Sequence, residues 1–183
     1  MILVTVGTEK YPFNRLMEWL DNLITLGCLN PEQEEIVIQY GSCTIVPKGV
    51  KNHAILPETD FLGLIEKARI IIAHCGEGTI DLLDSLQKPF ILVPRQGEKH
   101  EHVDDHQLEL AQELEKQSIN IAYSQKDLAC FLANPVLSEF SSTPAQYYTQ
   151  VGRFLEDEFE NDLVRAELLE DLIGTSQLTL AFE

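Results

Sequence analysis

Ile70-Ile71-Ile72-Ala73-His74-Cys75-Gly76-Glu77-Gly78-Thr79 joins a wholly apolar run to a glycine turn, and a helical pattern follows through Leu86. A second apolar run, Pro89-Phe90-Ile91-Leu92-Val93-Pro94, ends in Arg95-Gln96-Gly97. After a polar loop, Asp104-Asp105-His106-Gln107 opens another helix. The order is strand, glycine loop, helix, strand, loop, helix. Continuous apolar runs of this length read as strands buried on both faces, as in a parallel sheet. A strand that feeds a glycine turn into a helix start makes an anion site. The first-turn N–H groups lack intrahelical partners, the helix dipole adds partial positive charge, and glycine permits close approach. Two such strand ends side by side would line one crevice at the carboxyl edge of the sheet.

The rest of the chain fits the same plan. Met1–Val6 reads as a buried strand, turned by Gly7-Thr8-Glu9. Phe13, Leu16, Met17, Leu20, Leu23 and Ile24 have helical spacing, which ends near Gly27. Strands are expected over residues 35–40 and 53–56. Thr59 is the expected N-cap of a helix with Phe61, Leu62, Leu64, Ile65 and Ala68 inward. Leu108, Ala111 and Leu114 face inward on the helix after Asp105. Ile119–Ala122 reads as a last strand, and Ser124 with Asp127 forms a capping box for a helix through Leu132. Alternating strands and helices with short connections predict an α/β, doubly wound parallel sheet.

The expected boundary lies at 133/134. Asn134-Pro135 and Ser141-Ser142-Thr143-Pro144 break the pattern, and the remainder to 183 reads as a helical, acidic C-terminal extension. Its apolar stripe either packs on the sheet domain or reaches a partner chain.

The net charge of −17 argues against nonspecific nucleic-acid binding and against direct docking on anionic lipid. No apolar run approaches the roughly 18 residues needed to span a bilayer. Met1–Gly7 lacks a basic n-region. A cytoplasmic protein that reaches a membrane only through something else is expected. The four cysteines are scattered with no CxxC pair, so reduced thiols are expected.

Neither GxGxxG nor GxxxxGK[ST] is present, which argues against a dinucleotide or P-loop site. His100, His102 and His106 with Glu101, Asp104 and Asp105 have metal-ligand chemistry but loose spacing, and a solvated polar loop is the expected reading. Cys75 stands near a helix start with no second cysteine or obvious orienting group. For both glycine loops, a tight turn without a ligand is the competing interpretation.

Several stretches together carry a family likeness. Met1–Thr8 with Phe13 and Leu16, His74-Cys75-Gly76-Glu77-Gly78-Thr79-Ile80, Lys88–Arg95 and His102–Ala111 resemble the family-28 glycosyltransferases of GT-B fold, in their C-terminal half. That family includes the sugar-nucleotide-binding subunit of two-part N-acetylglucosaminyltransferases and bacterial exopolysaccharide subunits. The resemblance covers about residues 1–132 and implies a Rossmann-like domain with a UDP-sugar donor as substrate, no cofactor and no metal. It implies that Gly7 and Thr8 face the phosphate or the interdomain cleft. His74 belongs to the histidine-glycine loop, and Gly76, Glu77, Gly78 and Thr79 would hold the diphosphate and part of the nucleoside. Asp105 and Gln107 would bond the donor sugar, and Arg95 would add charge near the leaving diphosphate. Many relatives carry a glutamate for the ribose six residues after the first loop glycine. Leu82 stands there in this chain, which leaves the neighbouring Asp81 as the expected acid. The family's acceptor-side base lies in another domain, so a membrane-associated partner subunit is implied. A non-catalytic subunit that enhances another transferase is the alternative.

Overall fold

The computed structural model describes residues 1–86 and 88–137. The last helix described ends at Ala133, and the helical, acidic extension expected to 183, with its apolar stripe, lies outside the described residues beyond 137. In chain order the elements are β1 (Ile2–Thr5), α1 (Asn14–Thr25), β2 (Ile36–Gln39), β3 (Lys51–His53) and α2 (Glu58–Lys67). They continue with β4 (Ile70–His74), α3 (Glu77–Asp84), β5 (Phe90–Val93), a 3-10 turn at Gly97–Lys99, α4 (His106–Glu115) and α5 (Gln125–Ala133).

The five strands form one parallel sheet in the order β3-β2-β1-β4-β5. This is the expected Rossmann-like arrangement. Ile2, Val4, Ile36, Ile38, Ile70, Ile72, Ile91 and Val93 join one core with Phe13, Leu16, Met17, Leu20 and Leu23, and with Leu128 of α5. The alternate strand residues Leu3, Val37, Ile71, Phe90 and Leu92 are buried as well, so both faces of the sheet are covered. Each fully buried aliphatic side chain contributes about 1.5–3 kcal/mol, which is why the apolar runs dictate the register.

Three expectations shift. The third strand is Lys51–His53, two residues earlier than the sequence suggests. Its side chains are all exposed, so the backbone ladder to Val37–Gln39 sets its position and apolar content does not. Ile55 and Leu56 are thereby free of the strand. Helix α2 begins at Glu58 after Pro57, and its buried side are Ile65 and the following Ala68, while Leu62 is exposed. Ile119–Ala122 forms one parallel bridge, Leu92 with Ile121, and no longer strand. Two backbone bonds hold it: Leu92 N to Asn120 O (2.9 Å) and Ala122 N to Leu92 O (2.8 Å). The capping box of α5 is formed: Asp127 N donates to Ser124 Oγ (3.2 Å) and Ser124 N to Asp127 Oδ2 (2.9 Å).

Chain order reverses between β1 and β4. The carboxyl ends of these two central strands, with the glycine loops that follow them, therefore flank the topological switch point.

Candidate functional site

A crevice of about 630 Å³ opens at this switch point. Its floor comes from Thr5, Gly7 and Thr8 after β1, from Gln39 at the end of β2, and from His74 to Thr79 across the β4–α3 turn. Ile55, Leu56 and Phe61 supply an apolar wall. His102, His106, Gln107 and Leu110 face it from the segment around the start of α4.

The loop after β1 is held from below. Thr5 Oγ1 donates to Gln39 Oε1 (2.7 Å), and Gln39 Nε2 donates to the carbonyls of Gly7 (2.9 Å) and Ala54 (3.1 Å). Buried Gln39 thus ties the glycine loop to the segment carrying Ile55. Gly7 has φ +74, a left-handed conformation that costs a side-chain-bearing residue roughly 1–2 kcal/mol.

Gly76 is the N-cap of α3 and makes no side-chain cap bond. Above Gly78 there is open space: a Cβ there would meet nothing within 4 Å. A helix start with room beside Gly78 is suited to an anionic group, although the Glu77 carboxylate also stands in its first turn. Glu77 Oε1 lies 3.1 Å from His106 Nε2 and links the starts of α3 and α4. No Lys or Arg lines the crevice among the described residues, whereas Glu9, Glu58 and Glu77 do.

His74 is buried, and burial lowers its pKa to about 4, with the nearby charge of Arg95 acting in the same direction. Its imidazole is neutral at neutral pH. Cys75 is fully buried, and desolvation pushes its thiol well above the ordinary range, so no thiolate is available there.

Gly7, Thr8, His74, Gly76, Glu77, Gly78, Thr79 and Gln107 therefore share one crevice. Asp81, Arg95 and Asp105 do not line it. Asp81 is exposed on α3. Asp105 Oδ1 accepts from Gly97 N (2.7 Å) and secures the turn before α4. Arg95 is fully buried and donates to three backbone carbonyls, so its expected place beside a diphosphate is corrected. Sequence reading missed Glu9, Gln39, Ile55, Leu56 and Phe61. The only signal for Ile55 and Leu56 was an apolar pair that was read as strand.

Among the described residues, no three His, Cys, Asp or Glu side chains come together as a metal site, and no helix is long and apolar enough to cross a membrane. His102 Nδ1 lies 2.8 Å from Asp104 Oδ1, and Glu101 is buried against Arg15.

The chain is similar to the UDP-N-acetylglucosamine transferase subunit ALG13 of Candida albicans (strain SC5314 / ATCC MYA-2876). The two are 29% identical over 96 residues, which is 52% of this chain and 30% of that protein. The matched stretch spans under a third of that relative's length. The sequence pattern of the glycosyltransferase family 28 C-terminal domain matches residues 1–156, and with the parallel sheet and the loop-lined switch point in place, the chain belongs to that family.

Proposed function

We propose that this chain is the donor-binding part of a two-part inverting glycosyltransferase. It binds a UDP-sugar in the switch-point crevice and hands a hexose or N-acetylhexosamine to a lipid-linked acceptor, in polysaccharide or glycan synthesis. The observation that carries the proposal is the meeting of both glycine loops and Gln107 in one crevice. The apolar wall of Ile55, Leu56 and Phe61 suits the uracil. The start of α3 and the Gly7–Thr8 loop suit the diphosphate, and Gln107 suits a sugar hydroxyl. With Asp81 outside the crevice, Glu9 and Glu58 are the carboxylates we assign to the ribose hydroxyls, Glu77 being engaged with His106.

In this reading, charge that develops on the departing UDP is met by main-chain N–H groups and the α3 dipole, which stabilise a leaving anion without moving. A membrane-associated partner supplies acceptor binding and the base. The similarity to a protein described as a transferase subunit supports a partner-dependent arrangement.

Calorimetric titration of UDP and UDP-sugars into the chain, alone and with its co-purifying partner, tests the proposal. Absence of binding at millimolar donor in both cases sinks it. One observation favours a second reading, a non-catalytic enhancer of another transferase. Three carboxylates line the crevice with no Lys or Arg among the described residues, an unfavourable balance for a diphosphate. That reading requires the reconstituted pair to transfer sugar after Gly76→Ala, whose methyl group meets His74 and displaces the start of α3.

A further inference from the structure

We infer that Arg95 is a positioning residue that sets the shape of the crevice from behind, through the backbone of the loop after β1 and through Gln107. This rests on the crevice being a nucleoside-diphosphate site.

Arg95 follows β5 directly and is 0% exposed. Its Nη2 donates to Val6 O (2.7 Å), and its Nη1 donates to Tyr11 O (2.8 Å) and Glu101 O (2.8 Å). Val6 and Tyr11 bracket Gly7, Thr8 and Glu9, all three of which line the crevice. One planar guanidinium therefore holds both ends of the loop. Only arginine can do so, because its donors form a rigid fork, whereas lysine offers a compact point charge.

The third carbonyl, that of Glu101, precedes His102, which lines the opposite wall. The Glu101 carboxylate accepts from Arg15 Nε (2.8 Å), Arg15 Nη2 (2.7 Å) and Gln96 N (3.1 Å). Phe13 stands beside both guanidiniums, 4.8 Å from Arg95 and 5.1 Å from Arg15. The main chain of Arg95 acts on Gln107 as well. Its N–H donates to Gln107 Oε1 (3.3 Å), which leaves the amide nitrogen of Gln107 as the group available to a ligand.

Burying the Arg95 guanidinium on backbone carbonyls, beside the Arg15–Glu101 ion pair, is a poor way to gain stability, since apolar residues of similar volume commonly serve as well or better. The arrangement makes sense as geometry: two walls and one side-chain amide are fixed to a single residue. A direct ligand role is incompatible with full burial and with three carbonyl contacts.

The test combines hydrogen exchange and calorimetry on the wild type, Arg95→Lys, Thr8→Ala and the double variant. Without ligand, Arg95→Lys is expected to speed exchange in the 7–11 segment while β2 and β4 stay protected. UDP affinity should fall about tenfold, equivalent to about 1.4 kcal/mol. Adding Arg95→Lys to Thr8→Ala should cost less than it does alone, because the Thr8 hydroxyl contact that the clamp positions has already gone. Unchanged loop exchange with additive affinity losses would overturn the inference. So would faster exchange spread evenly over the sheet. Wild type that fails to bind UDP would overturn the donor reading instead. If Arg95→Lys does not fold, Arg15→Lys loosens the same clamp through Glu101. It is expected to speed exchange around His102, and protection equal to wild type there would also count against the inference.

Discussion

A Cβ placed on Gly7 would lie 2.5 Å from Cε1 of His74. Gly76 is in the same position from the other side, with its Cβ 2.5 Å from His74 Nε2. The buried imidazole fills the gap between the loop after β1 and the start of α3. Both loops are glycine at their closest point because the ring leaves no room for a methyl group. Gly7→Ala and Gly76→Ala are each expected to weaken UDP binding by more than about tenfold, over about 1.4 kcal/mol, through displaced loops. Gly7→Ala should also lower stability, by roughly 1–2 kcal/mol for the left-handed backbone alone. Gly78→Ala is the contrast, since its Cβ meets nothing within 4 Å. It should raise stability by up to about 1 kcal/mol through helix propensity and weaken UDP by filling the space above the helix start. Calorimetry and urea denaturation on the three variants check the pattern. Equal UDP affinity for Gly76→Ala and wild type would refute it.

The same burial makes stability depend on acidity. His74 has a folded-state pKa of about 4 against an ordinary 6.5. Above pH 6.5 both states are neutral at this residue and no penalty exists. Between 6.5 and 4 the unfolded chain binds a proton that the folded chain refuses, so stability falls as pH falls, and it levels off below 4. At roughly 1.4 kcal/mol per unit the full penalty is about 3 kcal/mol. Glu34, whose carboxyl is lowered to about 2 chiefly by the hydrogen bond from Arg69, acts in a separate window. Its contribution is present above 4.5 and lost toward 2. Urea midpoints measured from pH 7.5 to 4.5 should therefore decline before the Glu34 window is reached. An NMR titration showing the His74 ring protonating near 6.5 in the folded protein would remove the explanation.

How far the sequence could be read depended on what fixes each element. The apolar runs Ile70–Ala73 and Phe90–Val93 have one way to be buried, so their strands and the glycine loop between them were legible. The third strand was misplaced because its position comes from backbone pairing with Val37–Gln39, which leaves no mark in side-chain polarity. That two-residue error hid Ile55 and Leu56 as crevice walls. Arg95 was misread for a related reason. A cation at a strand end suggests an anion nearby, yet here three backbone carbonyls take the guanidinium. Those carbonyls come from Val6, Tyr11 and Glu101, and no spacing rule links them. Asp81 was chosen by adjacency to Leu82, and a one-residue step on a helix turns the side chain by about 100°. It points to solvent.

Gln107 and Asp105 now separate, although the family resemblance paired them. Gln107 is buried at the crevice wall with its oxygen held by Arg95 N, whereas Asp105 is exposed and occupied with Gly97 N. Gln107→Ala is expected to weaken a UDP-sugar several-fold more than UDP itself, because a lost neutral hydrogen bond of about 1 kcal/mol falls on the sugar. Asp105→Ala should lower both affinities equally and mildly, through the loosened turn at Gly97. Competition of UDP-sugar against UDP on each variant reads the difference directly. A selective loss of the sugar in Asp105→Ala, with none in Gln107→Ala, would reverse the assignment.

The cysteines test the solvent boundary of the crevice. Cys28 and Cys130 are exposed, whereas Cys43 and Cys75 are buried. Burial raises both of the latter thiols, and Cys43 Sγ also accepts a hydrogen bond from Phe13 N (3.3 Å). Thiolate is the reactive form, so an aromatic disulfide reagent at neutral pH should label Cys28 and Cys130 quickly in the native protein. Cys43 and Cys75 should react only at the rate of unfolding, and in urea all four should react. Cys75 lies within the β4–α3 turn, so saturating UDP should slow its labelling further by stabilising the folded state. Fast native labelling at Cys75 would mean that this turn opens to solvent, and the neutral, buried state assigned to the adjacent His74 would fail with it.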